Sequence, residues 1–187
     1  MTGLLLKIEH LEVRYGDLIG VSDVSLEVSE GSVVALLGSN GGGKTTTLNA
    51  IAGLIPVHSG SIHFRGEELA GQPAFAIVRK GLALSPEGWR LFVQQSVENN
   101  LMLGATPLHD KSRTSMLLER VGMARLADAP ARSLGTPGRK RLEIARALAT
   151  EPKVLLLDEA MAGLTLREVQ LAIDLVRDIH ASVLLLT

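Results

Sequence analysis

With 187 residues, 46% of them apolar, the chain has material for one domain with a sizeable core and too little for two complete ones. Its 19 Lys and Arg against 20 Asp and Glu leave a formal charge of -1, so no basic excess points to nucleic acid or anionic lipid. The absence of cysteine excludes disulfides, thiolate metal sites and cysteine nucleophiles, and aromatics at 3% leave an aliphatic core without stacking platforms for single strands.

Leu4 to Tyr15 alternates apolar and polar residues and reads as a strand, as does Val24 to Val28 before the turn Ser29-Glu30-Gly31-Ser32. Val33 to Leu37 is a continuous apolar run, the pattern of a strand buried on both faces. A glycine-rich loop follows, then a helix over Thr45–Leu54 that Pro56 closes off. Ser61–Phe64 is a short strand, Glu67-Glu68 an exposed turn, Pro73–Lys80 a helix and Leu82–Leu84 another short strand. Ser96 caps a helix that runs to Leu103, Gly104–Asp110 is a loop, and Ser112–Val121 is an amphipathic helix with Met116, Leu117 and Val121 on its apolar face. Arg139–Thr150 carries Leu142, Ile144, Ala145 and Leu148 at helical spacing, and its first residues, Arg139-Lys140-Arg141, read as a solvated basic face. Val154–Leu157 is a second wholly apolar strand; Thr165 to Glu168 is a capping box for a helix ending near His180; and Val183–Thr187 reads as an apolar strand left at the end of the chain. Strands alternating with helices imply an α/β fold with a parallel sheet, and the strand-poor stretch from about Glu87 to Ala149 reads as a helical insertion. No apolar run approaches the roughly 20 residues that cross a bilayer, and Met1–Glu9 lacks the pattern of a secretory signal.

Two segments carry chemistry. Gly38-Ser39-Asn40-Gly41-Gly42-Gly43-Lys44-Thr45 matches the phosphate-loop pattern between a strand and a helix. Glycines let successive N–H groups turn in around a phosphate, the helix N-terminus adds partial positive charge, Lys44 reaches the outer phosphates, and the Thr45 hydroxyl is a Mg²⁺ ligand. With Thr46, these residues are the candidate nucleotide contacts. In Val154-Leu155-Leu156-Leu157-Asp158-Glu159, an acid ends a buried parallel strand, where ligands bind in such sheets. Asp158 is placed to hold Mg²⁺, and Glu159 to polarise water against a terminal phosphate.

The order of these motifs resembles the ATP-binding subunit of ABC transporters along essentially the whole chain. That resemblance implies a P-loop NTPase with a mostly parallel sheet, N-terminal antiparallel strands and a helical subdomain. It also implies ATP and Mg²⁺ as cofactors, a second ATP-binding subunit and transmembrane permease subunits as partners, and a place on the cytoplasmic face of the membrane without a span of its own. Val13-Arg14-Tyr15-Gly16 resembles the A-loop, which puts Tyr15 on the adenine. Leu84-Ser85-Pro86-Glu87-Gly88 falls at the Q-loop; its Glu87, in place of the usual Gln, is similar to the subfamily serving branched-chain amino acid importers and offers oxygen to Mg²⁺ and the attacking water. Trp89-Arg90-Leu91-Phe92 and Ser96–Leu101 are similar to that subfamily too, in a region that touches the membrane subunit. The implied catalytic residues are Glu159, Glu87 and Lys44, and the implied metal ligands are Thr45, Glu87 and Asp158.

Four departures from the family pattern stand out. The signature Leu-Ser-Gly-Gly-Gln aligns with Leu134-Gly135-Thr136-Pro137-Gly138, the segment that meets the partner's ATP. Gly135 has no hydroxyl and Pro137 no N–H; two bonds lost at about 1.5–3 kcal/mol each weaken a closed dimer several hundred-fold or more. Ala160 replaces a proline, and Ala162-Gly163-Leu164-Thr165 lacks the D-loop aspartate. The chain is also expected to stop about two residues before the switch histidine, as one incomplete domain: about 87–149 the Q-loop and helical part, 150–187 a core segment. An ATP-binding module with little or no hydrolysis is the alternative that these departures leave open. A guanine nucleotide is disfavoured by the lack of an Asn-Lys-x-Asp segment.

Overall fold

The computed structural model describes residues 3–88, 90–104, 111–159, 165, 170 and 174, and the backbone of 182–186. Two sheets of four strands organise it. The antiparallel sheet is built from β1 (Leu4–Tyr15), β2 (Leu18–Ser29), β4 (Ser59–Phe64) and β5 (Glu67–Glu68), in the order β2-β1-β4-β5. The parallel sheet takes β3 (Val33–Leu36), β6 (Leu82–Ser85), β7 (Val154–Leu157) and β8 (Ser182–Leu186), in the order β3-β8-β7-β6. The helices are α1 (Lys44–Ile51), α2 (Ala74–Lys80), α3 (Val97–Gly104), α4 (Lys111–Arg120) and α5 (Thr136–Leu148).

β7 shows why a strand should be apolar on every residue. Its Val154 and Leu156 enter one core, shared with Leu6, Ile8, Leu48, Ile51, Ile62 and Ile77 of the antiparallel sheet, α1 and α2. Its Leu155 and Leu157 enter a second core, shared with Val97, Leu101, Leu118, Leu142 and Ile144 of α3, α4 and α5. With side chains alternating across the strand, β7 is the floor of both compartments.

The structure departs from the sequence reading in several places. β3 is not buried on both faces: Val33 is 62% and Leu37 73% exposed, and only Val34 and Leu36 pack against a core. The apolar strand near residue 185 is not left uncovered at its edges; β8 is inserted between β3 and β7, pairing Val33 with Val183 and Leu157 with Leu185. β2 begins six residues early, since Gly16-Asp17 closes a hairpin with Tyr15 paired to Leu18. Glu67-Glu68, expected as a turn, forms the short strand β5 against His63 and Phe64, although both glutamates stay exposed. On α4, Val121 just past its end is buried and Leu117 packs against the same core, as expected, but Met116 is 57% exposed and Thr114 and Leu118 take the buried places beside them. α5 starts three residues early, at Thr136, where Pro137 costs nothing because a first-turn N–H has no helical partner. The expected cap on α3 is present: the Asn99 amide donates to Ser96 Oγ at 3.0 Å. The loop at 105–110, Trp89 and the capping-box helix beyond Thr165 lie outside the described residues, apart from Gln170 and Asp174, joined by a 2.8 Å hydrogen bond.

Candidate functional site

Three loops leave the C-terminal ends of β3, β7 and β6 and meet at one edge of the parallel sheet, where such sheets gather ligands. From β3 comes the phosphate loop. Its last glycine, Gly43, sits at φ +81° as the N-cap of α1, and a Cβ there would stand 2.5 Å from Gly20 O of β2. Only glycine satisfies both conditions. The Gly42 amide donates to Ser39 O at 3.0 Å, which folds the loop back on itself, and Thr47 locks the first turn of α1 by donating its hydroxyl to Gly43 O at 2.9 Å. The Lys44 ammonium crosses the loop to donate to Gly38 O at 2.7 Å and Ser39 O at 3.1 Å. It is thereby held at the mouth of the cradle, one positive charge beside a helix N-terminus.

From β7 comes Asp158, which is 2% exposed. Its carboxylate accepts from the Thr45 hydroxyl at 3.1 Å and from the Glu87 amide, while its own amide donates to Ser85 O at 3.0 Å. Residues from all three loops thus converge on one buried carboxylate. Burial, aided by the charge of Glu159, holds that carboxyl above its ordinary range; Thr45, Glu87 and Lys44 pull the other way. A hydroxyl and a desolvated carboxylate beside a phosphate cradle are the donor set of Mg²⁺, which takes one or two protein ligands and completes its shell with phosphate and water. Among the described residues no group of three or more His, Asp or Glu could hold a metal by itself. Glu159 follows at φ +45°, a conformation that costs a non-glycine residue about 1–3 kcal/mol and is kept only where its surroundings impose it.

Tyr15 stands at the other side of the loop. Its ring lies over Gly20, so close that a Cβ there would come within 2.9 Å of it, and its hydroxyl is 3.3 Å from the Thr46 hydroxyl. The hydroxyl end is therefore tied to the start of α1, and the side chain stays half exposed. The structure brings Tyr15, Lys44, Thr45, Thr46, Asp158 and the Glu87 backbone to one place. Gly135, Thr136, Pro137 and Gly138 lie on a separate element, as the cap and first turn of α5.

The sequence reading named the start of α5 but missed Lys140 and Glu143 further along it. Arg139-Lys140-Arg141 is not a solvated face. Arg139 donates to Arg132 O at 2.8 Å, Arg141 to Val121 O at 3.4 Å, and Lys140, buried at 9% exposure, donates to Glu159 O at 2.9 Å. One turn on, the buried Glu143 accepts the Arg90 amide at 2.8 Å and Arg146 donates to Arg90 O at 2.6 Å. Burial raises the Glu143 carboxyl and lowers the Arg146 guanidinium, each partly offset by the other's charge. The helical period offered the signal: positions 140 and 143 fall beside the apolar 142, 144 and 145.

Comparison with known proteins agrees with this geometry. The family model described as ABC transporter matches residues 21–162. The chain is 39% identical over 165 residues to the high-affinity branched-chain amino acid transport ATP-binding protein BraG of Pseudomonas aeruginosa, covering 86% of this chain and 70% of that protein. It is 37% identical over 174 residues to the lipopolysaccharide export system ATP-binding protein LptB of Escherichia coli, covering 88% and 72%. In fold it is similar to the ADP conformation of MJ1267, an ATP-binding cassette of an ABC transporter, with a TM-score of 0.89 at 23% identity over 99% of this chain and 81% of that one. The chain belongs to the ABC transporter family, as an ATP-binding domain.

Proposed function

We propose that this domain binds and hydrolyses Mg-ATP to energise a transporter importing branched-chain amino acids. One observation carries the chemistry: Asp158, buried at the end of β7, gathers the Thr45 hydroxyl and the Glu87 amide at the mouth of the phosphate loop. In this reading the amides of Gly38 to Thr46 and the Lys44 ammonium hold the phosphates, and Tyr15 borders the adenine. Thr45, Asp158 and Glu87 hold Mg²⁺, which neutralises phosphate charge. Glu159 orients and polarises the attacking water. Gly135, Thr136, Pro137 and Gly138 would meet the nucleotide of a second subunit. The domain is divided at about 87–149 into a helical part and a core segment from 150. Permease subunits would dock on the helical side, where exposed Phe92 and Leu103 border a cleft of about 230 Å³ that reaches down to Glu143 and Arg146. No described helix is long and apolar enough to cross a membrane, so a place on the cytoplasmic face of the membrane would depend on those partners.

The import assignment is supported by the likeness to BraG and by Glu87. The test of the chemistry is nucleotide binding and turnover. Lys44→Ala should abolish ATP binding measured by calorimetry, and Glu159→Gln should keep binding while lowering turnover about a thousandfold. Unchanged binding in Lys44→Ala would sink the nucleotide reading. The import reading is tested by leucine uptake in cells lacking their own branched-chain importer ATPase. Uptake restored by this chain with its permease supports it; no restoration, with lipopolysaccharide export restored instead, replaces it with the activity named for LptB.

A further inference from the structure

We infer that Lys140 is a positioning residue for hydrolysis: by holding the backbone carbonyl of Glu159 it fixes where the Glu159 carboxylate stands. The inference rests on the reading of Glu159 as the residue that orients water, and adds to it a residue on another element.

The ammonium of Lys140 is withdrawn from solvent and donates to Glu159 O at 2.9 Å. A buried lysine head needs acceptors and compensating charge, and the buried carboxylate of Glu143, one turn along α5, supplies the charge. Glu159 is held in a left-handed backbone conformation, at φ +45°, which its own side chain does not favour. Its neighbours on both sides account for it. On the N-terminal side, Asp158 is tied through its amide to Ser85 and through its carboxylate to Thr45. On the C-terminal side, the Glu159 carbonyl is tied to Lys140. Release of that carbonyl would let the peptide rotate toward an ordinary conformation and swing the carboxylate off the nucleotide.

The element that supplies Lys140 gives the contact a second meaning. α5 begins at Gly135–Gly138, one turn before Lys140, and Glu143 and Arg146 of the same helix grip the Arg90 backbone beyond Glu87. A shift of the start of α5 is therefore passed to Glu159 through one part-buried bond of 2.9 Å.

The experiment is steady-state ATP hydrolysis by the full chain as Lys140→Met, which keeps the stem and removes the ammonium, and as Lys140→Arg. Lys140→Met should lower kcat about tenfold to a hundredfold with KM for ATP within about twofold of the parent, and Lys140→Arg should keep most of the turnover. Added to Glu159→Gln, Lys140→Met should change the residual rate less than about twofold, since both act on one group. Parental kcat in Lys140→Met, or an equal loss in both backgrounds, overturns the inference while leaving the role of Glu159 intact. Parental kcat in Glu159→Gln alone overturns both. Because the chain has no cysteine, Lys140→Cys offers a control on folding: alkylation with 2-bromoethylamine in denaturant, then refolding, rebuilds an ammonium at the same reach. Return of kcat supports the inference, and a refolded, alkylated chain without it overturns it.

Discussion

α1 and α5 both begin on a glycine cap with no side-chain cap bond, yet their N-termini are built for different strengths of grip. At α1, Gly43 is in the left-handed region and is followed by Lys44 and three threonines, so the first turn offers amides, hydroxyls and an ammonium. At α5, Gly135 is extended, with ψ 171°, and Pro137 removes one amide from the first turn. The first turn of α1 keeps every amide and adds an ammonium, while that of α5 is one amide short. The contrast teaches that the dipole of a helix does not by itself make an anion site: the groups that point along it decide how much is held.

The most direct way to sharpen that contrast is to rebuild the weaker end. Gly135→Ser with Pro137→Gly, in a Glu159→Gln background that does not turn over, should tighten ATP-dependent pairing of two copies several hundred-fold by sedimentation. If pairing does not change, the donors at α5 are not what limits it. Weakening the stronger end comes next. Gly43→Ala places a Cβ 2.5 Å from Gly20 O and forces a left-handed alanine, so ATP affinity by calorimetry should fall about thirtyfold and the unfolding midpoint should drop. Tyr15→Ala tests the margin of the same cradle, with a loss of about tenfold in affinity if the ring stacks on the base. The smallest effect is electrostatic. Burial raises the Asp158 carboxyl, so the folded chain binds this proton more tightly than the unfolded one, and this group's contribution to stability falls as pH rises above 3.8. Asp158→Asn should remove that slope, raising the unfolding midpoint at pH 7 and converging with the parent in acid, while weakening Mg²⁺-dependent binding. Thermal melts across that range check the sign.

Much of this was legible in the residues. The phosphate loop, the acid at the end of β7 and the Ser96 cap announce themselves, because each needs particular residue types at fixed spacing. β7 could be read as doubly buried for the same reason. β3, with an equally apolar run, could not be told from it, since what packs on each face of a strand is decided by the rest of the chain and not by local composition. Lys140 shows the limit from the other side. Between two arginines it looks like surface, and only the approach of α5 to the loop after β7 supplies the carbonyl that makes burial tolerable.

The central place of β8 has a consequence for how the molecule is made. The antiparallel sheet draws all four strands from residues 4–68. The parallel sheet does not: β3 and β7 are joined only through Ser182–Leu186, which lies between them and pairs with both. The phosphate loop and Asp158 hang from those two strands, so the Thr45–Asp158 contact, between residues 113 positions apart in sequence, depends on a third strand that carries neither.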